Sequence, residues 1–128
     1  MNHTKLQKQK NKLVKNQFME ENDNILDYVQ GNTRERLLGK WGQWRQGWIY
    51  FTEKKIICFW GLVGHLEIPY EQIQALGRCS QMFLPFGITI THTDKEGKVV
   101  EDCISVQKRE QRLKLISERS GVKVTANP

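Results

Sequence analysis

Short apolar stretches separated by turn signals run from residue 36 to residue 106, and this pattern constrains the fold more than any other feature. Pro69 ends one stretch because proline has no N–H to donate to a strand ladder. The segment Asp94–Gly97 is typical of a tight turn. One amphipathic helix, predicted over residues 107–120, follows the strands. Because no helices alternate with the strands, a doubly wound α/β fold is excluded, and we expect a small antiparallel β-structure with a helix covering one open end.

About seven short strands are predicted from the alternation of apolar and polar residues and from their β-branched and aromatic content. They are expected at residues 37–44, 47–51, 56–60, 65–68, 73–79, 86–91 and 98–106. Before them, residues 25–29 fit either a helix or a strand, and Gly31-Asn32 is predicted to form a turn. The C-terminal helix is expected to use Ser105 as its N-cap and to end at Gly121.

The positive charge of the chain is concentrated at its N-terminus. The formal net charge is +6, but residues 18–128 carry 15 basic and 14 acidic side chains, whereas residues 1–17 carry no acid at all. The lysines of this segment are Lys5, Lys8, Lys10, Lys12 and Lys15. A helix is predicted over residues 4–22, with Leu13 and Phe18 on its apolar stripe.

Three interpretations of this basic segment stay open. The lysines can attract an anionic membrane surface, at roughly 1 kcal/mol each. They can also attract nucleic acid through counterion release, although the aromatic residues that base stacking requires are absent from residues 1–17, so this partner is disfavoured. In the third interpretation the helix packs Leu13 and Phe18 on its own domain or on a second copy of the chain, which would make a homo-oligomer.

The sequence contains no candidate transmembrane segment and no signal peptide. Its longest uncharged apolar-rich stretch, Ile56–Gly64, is about half of the roughly 20 residues that a spanning helix needs. No apolar region follows the basic start. Cys58, Cys79 and Cys103 are odd in number and form no CxxC pair, so we expect reduced, packed thiols rather than a zinc site or a disulfide framework. The expected location is cytoplasmic, with peripheral association at the inner membrane face as one option.

Two strings resemble the pleckstrin-homology-like superfold, in particular GRAM-type and bacterial PH-like domains. Residues 47–59, GWIYFTEKKIICF, are similar to a hairpin of that family, and residues 66–73, LEIPYEQI, are similar to the corner that follows it. The resemblance covers about residues 25–120. It implies a mainly β fold of about seven antiparallel strands in two near-orthogonal sheets, a partly open barrel capped by a C-terminal helix.

The resemblance also divides the chain. Residues 1–22 form a basic N-terminal helix or tail, residues 25–120 form the PH-like domain, and residues 121–128 are expected to be a disordered tail. Members of this superfold bind phosphoinositides, peptides or proteins, and fold alone does not decide among them.

Candidate contact residues follow from charge and from apolar loops. Lys40 and Arg45 lie near the first hairpin, where lipid-binding PH domains place basic residues, but Gln43 and Gln46 stand where further cations would help. We therefore predict anionic surface contacts at the five N-terminal lysines, at Lys40 and at Arg45. Partner contacts are predicted for exposed aromatic or apolar side chains in loops. These are Trp41, Trp44, Phe83 and Leu84. The alternative for residues 82–86 is that they fold over the open end of the sheets.

No catalytic, metal or cofactor motif is present. His3, His65 and His92 have no partner set that suggests a metal site or a triad, and Cys79-Ser80 lacks the context of a nucleophile elbow. We predict a non-enzymatic binding module that presents a sheet edge or a loop surface to a protein or membrane partner. The alternatives are an anionic-membrane adaptor that acts through the lysine-rich N-terminus, a self-associating structural unit and a nucleic-acid binder.

Overall fold

The computed structural model describes residues 3–37, 39–61 and 64–125 of the chain. Two helices frame eight strands, and a short 3₁₀ turn, Tyr70–Gln72, joins the fifth strand to the sixth. The elements are α1 (His3–Lys15), β1 (Ile25–Leu37), β2 (Lys40–Trp41), β3 (Arg45–Thr52), β4 (Lys55–Phe59), β5 (His65–Pro69), β6 (Ile73–Gln81), β7 (Leu84–Thr93), β8 (Val99–Ser105) and α2 (Arg109–Ser120). The predicted mainly β fold with one helix at each end is therefore confirmed.

The strands form one antiparallel sheet with the order β5-β4-β3-β1-β8-β7-β6, and the two-residue β2 pairs with the end of β1. The first part of β1 pairs with β3 as far as Thr33, and the part from Asn32 to Glu35 pairs with β8. Strand β1 thus belongs to both halves of the sheet. The outermost strands, β5 and β6, are joined by the 3₁₀ turn and not by a ladder, so the sheet is not closed.

Strand β1 corrects two predictions at once. Residues 25–29 are strand, and Gly31-Asn32 is not a turn, because β1 continues through it and Gly31 pairs with Gly47 of β3. A Cβ atom on Gly31 would lie 2.6 Å from the carbonyl oxygen of Ser105 in β8. The glycine therefore permits the close approach of β8 at the point where β1 passes from one half of the sheet to the other. The strand predicted at residues 37–44 is reduced to β2.

The main core lies between the two halves of the sheet and α2. It contains buried apolar side chains from nearly every strand: Ile49, Phe51, Ile56, Ile68, Ile88, Ile90, Ile104, Leu113 and Ile116. Helix α2 begins at Arg109, and its N-cap is Lys108, with a φ of 52°, rather than the predicted Ser105, which stays in β8. The predicted end at Gly121 is confirmed, since this residue has a φ of 74° and its N–H donates to the carbonyl oxygen of Ser117.

A second apolar cluster lies on the outer face of the sheet, under α1. Leu13 and Met19 are buried there against Tyr50 and Ile57 of β3 and β4. The predicted helix over residues 4–22 is shorter than expected. It ends at Lys15, because the chain turns back at Gln17, which has a φ of 63°. The apolar stripe of α1 therefore packs on its own domain.

Two of the cysteines lie close together, and the C-terminal segment differs from expectation. The sulfur atoms of Cys79 in β6 and Cys103 in β8 face each other across β7, where Gly87 leaves room for the sulfur of Cys79, and Cys58 is free and buried. The Cα atoms of Cys79 and Cys103 are 7.8 Å apart, which is farther than a disulfide normally spans. Past α2, the expected disordered tail is held against the sheet as far as Thr125. Its N–H donates to the carbonyl oxygen of Leu76, 2.9 Å away. Residues 126–128 lie outside the described part of the chain.

Candidate functional site

Contacts of α1 with the sheet fix the rotation of this helix about its axis. The hydroxyl of Tyr50 donates to Oε1 of Gln9 at 2.9 Å, and Nζ of Lys10 donates to Oδ1 of Asn24 at 3.0 Å. Leu13, between them on the helix surface, is fully buried. One side of α1 is therefore covered by the domain.

The remaining lysines share the other side. At about 100° of rotation per residue, they fall within an arc of about 80°. These residues are Lys5, Lys8, Lys12 and Lys15, and all four are exposed. We name this row the lysine stripe. Lys12 also places its Nζ 5.2 Å from the centroid of the Phe59 ring.

No acidic side chain neutralises the lysine stripe within the residues that the structure describes. Helix α1 contains no Asp or Glu, and none of the four lysines is in an ion pair of that part of the chain. Glu20, which follows the helix, is 3.5 Å from Lys54 instead. Glu21 lines a shallow cleft with Lys10 and Lys15 but forms no ion pair with either. The stripe is an exposed, fixed row of positive charge.

Lys40 and Arg45, the other predicted anionic contacts, lie on a different element. Lys40 is exposed in β2, and Arg45 begins β3. The guanidinium of Arg45 lies 5.3 Å from the Trp60 ring centroid and 3.8 Å from Oε1 of Glu35. A carboxylate beside Arg45 weakens the attraction of this site for an anion. The predicted contacts therefore divide into a stripe on α1 and two residues at the β1–β3 connection.

The predicted partner contacts Trp41 and Trp44 pack against an arginine that sequence reasoning missed. The guanidinium of Arg34 lies 4.7 Å from the ring centroid of each indole, and Arg36 lies 5.5 Å from Trp41. Both tryptophans are half-buried. Cation–π contacts stabilise this connection, and a partner contact at the two indoles stays a prediction. The signal available in the sequence was the two-residue spacing of Arg34 and Arg36, which places them on one face of β1.

The other predicted partner contacts, Phe83 and Leu84, lie at the tip of the β6–β7 hairpin. The side chains of Met82, Phe83 and Leu84 are 82%, 98% and 49% exposed. The alternative that these residues fold over the open end of the sheets is wrong, because they project from the domain. They form an apolar protrusion rather than a groove, which we name the apolar tip (residues 82–84).

Two buried titratable groups lie away from these surfaces. The ring of His92 donates through Nε2 to Asp102 and through Nδ1 to the carbonyl oxygen of Thr93. Burial alone would lower the pKa of His92, but the hydrogen bond to Asp102, the negative charge of Asp102 and the hydrogen bond to Thr93 together outweigh burial and hold the pKa above its ordinary value. Burial raises the pKa of the Cys58 thiol to about 12, so it stays protonated at neutral pH.

The described residues contain neither a metal-binding cluster nor a membrane-spanning helix. No group of three or more His, Cys, Asp and Glu side chains there is arranged to hold a metal ion. No helix in the same ranges is long and apolar enough to cross a membrane.

The comparisons with known proteins bear on the fold. No family model and no curated protein matches the sequence. The chain is similar to the hSac2 domain of the human phosphoinositide phosphatase Sac2, with a TM-score of 0.56 and 8% identity over 99% of this chain and 90% of that one. It is similar to the N-terminal PH domain of Vps36, with a TM-score of 0.54 and 11% identity over 78% and 83% of the two chains.

A third similar structure is the PH domain of human pleckstrin homology domain-containing protein family A member 5. Its TM-score is 0.54, with 12% identity over 86% of this chain and 87% of that one. Identities this low establish the architecture and not the activity. The chain therefore has a PH-like fold.

Proposed function

We propose that this chain is a non-enzymatic PH-like binding module, of the GRAM-type or bacterial PH-like class, that docks on the anionic face of a membrane. Residues 25–120 form the domain, and residues 1–22 supply the contact surface through the lysine stripe. The module works in the cytoplasm and associates peripherally with the inner membrane face. It needs no cofactor.

One observation carries this proposal: the lysine stripe is held on a helix that the domain itself fixes in place. A disordered basic tail loses conformational freedom when it binds, whereas α1 is already ordered by the burial of Leu13. Each lysine near an anionic membrane contributes roughly 1 kcal/mol, and salt screens this attraction. A row of four exposed lysines without acidic partners is therefore suited to a flat anionic surface.

The other interpretations of the N-terminus have less support. Self-association was expected to use Leu13 and Phe18, but Leu13 is buried on the sheet of its own chain and Phe18 packs on Phe59 and His65. Nucleic acid would meet the same lysines, but α1 offers no aromatic side chain on which bases could stack.

A second candidate function is the docking of an extended peptide at a sheet edge. Strand β5 is outermost on one side of the sheet, and the edge of β6 already accepts an extended segment of this chain, in which Val124 pairs in parallel with Leu76. Pairing of this kind supplies backbone hydrogen bonds to a partner. If it is the main function, partner binding is unaffected by removal of the lysine stripe and is lost when Leu66 of β5 is replaced by proline.

The membrane proposal is tested by co-sedimentation of the full chain with vesicles of phosphatidylcholine, with and without phosphatidylserine, at low and physiological salt. In the test variant all four stripe lysines, Lys5, Lys8, Lys12 and Lys15, are replaced by Gln. In the control variant the same number of lysines is replaced by Gln at Lys95, Lys98, Lys114 and Lys123.

We expect the stripe variant to bind anionic vesicles at least tenfold more weakly than the wild type at low salt, because up to four contributions of roughly 1 kcal/mol are removed. The control variant should stay within about twofold of the wild type if position, and not net charge, determines binding. Equal losses in the two variants would contradict the proposal.

A further inference from the structure

The apolar tip has a backbone that its residues do not favour. Gln81 of β6 pairs with Leu84 of β7, so Met82 and Phe83 form a two-residue hairpin loop. Both have left-handed backbone conformations, with φ values of 48° and 73°. Loops of this geometry prefer Asn and Gly, because larger side chains are strained there. Methionine and phenylalanine are poor choices for this turn.

Packing against the domain does not account for Met82 and Phe83 either. With 82% and 98% of their side chains exposed, Met82 and Phe83 bury almost nothing against the domain. Leu84 and Pro85, which follow them, are exposed as well. Four consecutive exposed apolar residues on a strained turn oppose both local preference and solubility. Strain of this kind is typical of positions where the side chains have a function.

The hairpin that carries the apolar tip has an excess of positive charge farther down, where three basic side chains are opposed by one acid. Arg78 lies on β6 four residues before Met82, and Nη1 of Arg109 in α2 donates to the carbonyl oxygen of Cys79, three residues before Met82, at 3.3 Å. Glu110, the acid at this place, accepts from Arg78 at 2.7 Å and from Arg109 at 3.1 Å. The hydrogen bond from Arg78, with that from Arg109, lowers the pKa of Glu110 to about 2. Lys108, exposed at the start of α2, adds a further positive charge.

We infer that the apolar tip inserts into the interfacial region of an anionic bilayer, with Arg78, Lys108 and Arg109 facing the headgroups around it. The tip is convex, and the interior of a bilayer accepts an apolar protrusion of any shape, whereas a protein partner would need a matching pocket. Side chains that bury apolar surface below the headgroups while cations remain at their level are typical of interfacial anchors. This inference rests on the proposed membrane function but uses a surface other than the lysine stripe.

The test variant replaces the tip by the residues that the turn prefers, Met82→Asn and Phe83→Gly. We expect its thermal midpoint to rise by a few degrees, because the strain is relieved, while its partition onto anionic vesicles at physiological salt falls at least tenfold. Most substitutions that weaken binding also destabilise the fold. A variant that is more stable and binds vesicles less would therefore show that the tip residues serve binding and not folding. Vesicle co-sedimentation and a thermal melt of the same sample make the measurement.

Two further variants serve as controls. Val99→Thr removes an exposed apolar side chain from the β7–β8 hairpin, and it should leave the partition within about twofold of the wild type. Phe83→Trp keeps a large aromatic at the tip and should bind at least as well as the wild type, since Trp favours the membrane interface.

The outcomes distinguish this inference from the proposed function. If the tip variant binds like the wild type and the stripe variant does not, the inference is overturned and the proposed function stands. That result would also be obtained if the tip fills a pocket in a protein partner. If only the tip variant loses binding, the lysine stripe is not the docking surface. A tip variant that is less stable than the wild type would contradict the strain on which the inference depends.

Discussion

The β3–β4 hairpin and the β6–β7 hairpin are both tight antiparallel turns, but their ends are built in opposite ways. At the first, the N–H groups of Lys54 and Lys55 donate to Oγ1 of Thr52 at 3.2 and 3.0 Å, and that hydroxyl donates to Oδ2 of buried Asp23 at 2.7 Å. Helix α1 then covers the outer face of the same strands. At the second, residues 82–84 project into solvent, and positive φ angles strain the turn.

The difference teaches which residues of this fold serve folding and which serve a partner. The hydrogen bonds of Thr52 and Asp23 hold the end of the β3–β4 hairpin within the same chain, so its residue types follow from the local structure. At the apolar tip the residue types contradict the local structure, and such contradictions are expected where side chains have a function. Substitutions in the β3–β4 region should therefore lower the stability of the fold, whereas substitutions at the apolar tip should not.

The largest effect is expected from Leu13→Ala, which removes the main apolar contact between α1 and the sheet. Loss of a fully buried leucine side chain costs about 3 kcal/mol. The chain should keep its oligomeric state while its free energy of unfolding, measured in urea, falls by this amount. An unchanged stability accompanied by dissociation of a dimer would show instead that α1 packs on a second copy.

A smaller loss is expected from Asp23→Ala, which breaks the network at the end of the β3–β4 hairpin. The hydroxyl of Thr52 would lose Asp23 and keep only the carbonyl oxygen of Lys55 as an acceptor, and the N–H of Glu53 would keep only the carbonyl oxygen of Asn24. Such losses cost about 2 kcal/mol. Asp23→Asn keeps one acceptor oxygen and should cost less. If both variants unfold at the same urea concentration as the wild type, the hydrogen bonds of Asp23 do not stabilise the β3–β4 hairpin, and the contrast with the apolar tip is lost.

The smallest effect concerns the far end of β7, where His92 is buried beside Asp102. A histidine whose pKa is raised in the folded chain adds stability that is complete below its unfolded pKa of about 6.5 and is lost as the pH rises through the folded pKa. Stability should therefore fall more as the pH rises above about 6.5 in the wild type than in His92→Gln. Urea unfolding across this range measures the difference. Parallel curves would mean that folding does not raise the pKa of His92.

Local signals predicted much of the fold. Pro69 ends β5, Gly121 ends α2, and the strands around them follow from apolar alternation. The errors arose where the cause is distant in sequence. Gly31 was wrongly predicted to lie in a turn, because the residues next to it in the sequence do not reveal that Ser105 approaches it in the fold. The proximity of Cys79 and Cys103 was not predicted either, because it depends on the strand that separates them.

The candidate surfaces were predicted in composition but not in arrangement. The lysines of α1 were identified as a group, yet the exclusion of Lys10 from the stripe depends on Asn24, and the direction of the stripe depends on the burial of Leu13. The exposure of Phe83 could not be predicted, because an apolar loop can equally cover an open end of a sheet. Arg34 was missed, since its role requires Trp41 and Trp44 to fold back over β1.

The most direct test of the membrane role is lysine footprinting on vesicles. The full chain is methylated reductively in solution and on phosphatidylserine vesicles, and mass spectrometry measures the labelling of each lysine. We predict that Lys5, Lys8, Lys12 and Lys15 lose most of their labelling on vesicles, while Lys95, Lys114 and Lys123 keep theirs. Equal labelling of both sets in the bound state would contradict docking through the lysine stripe.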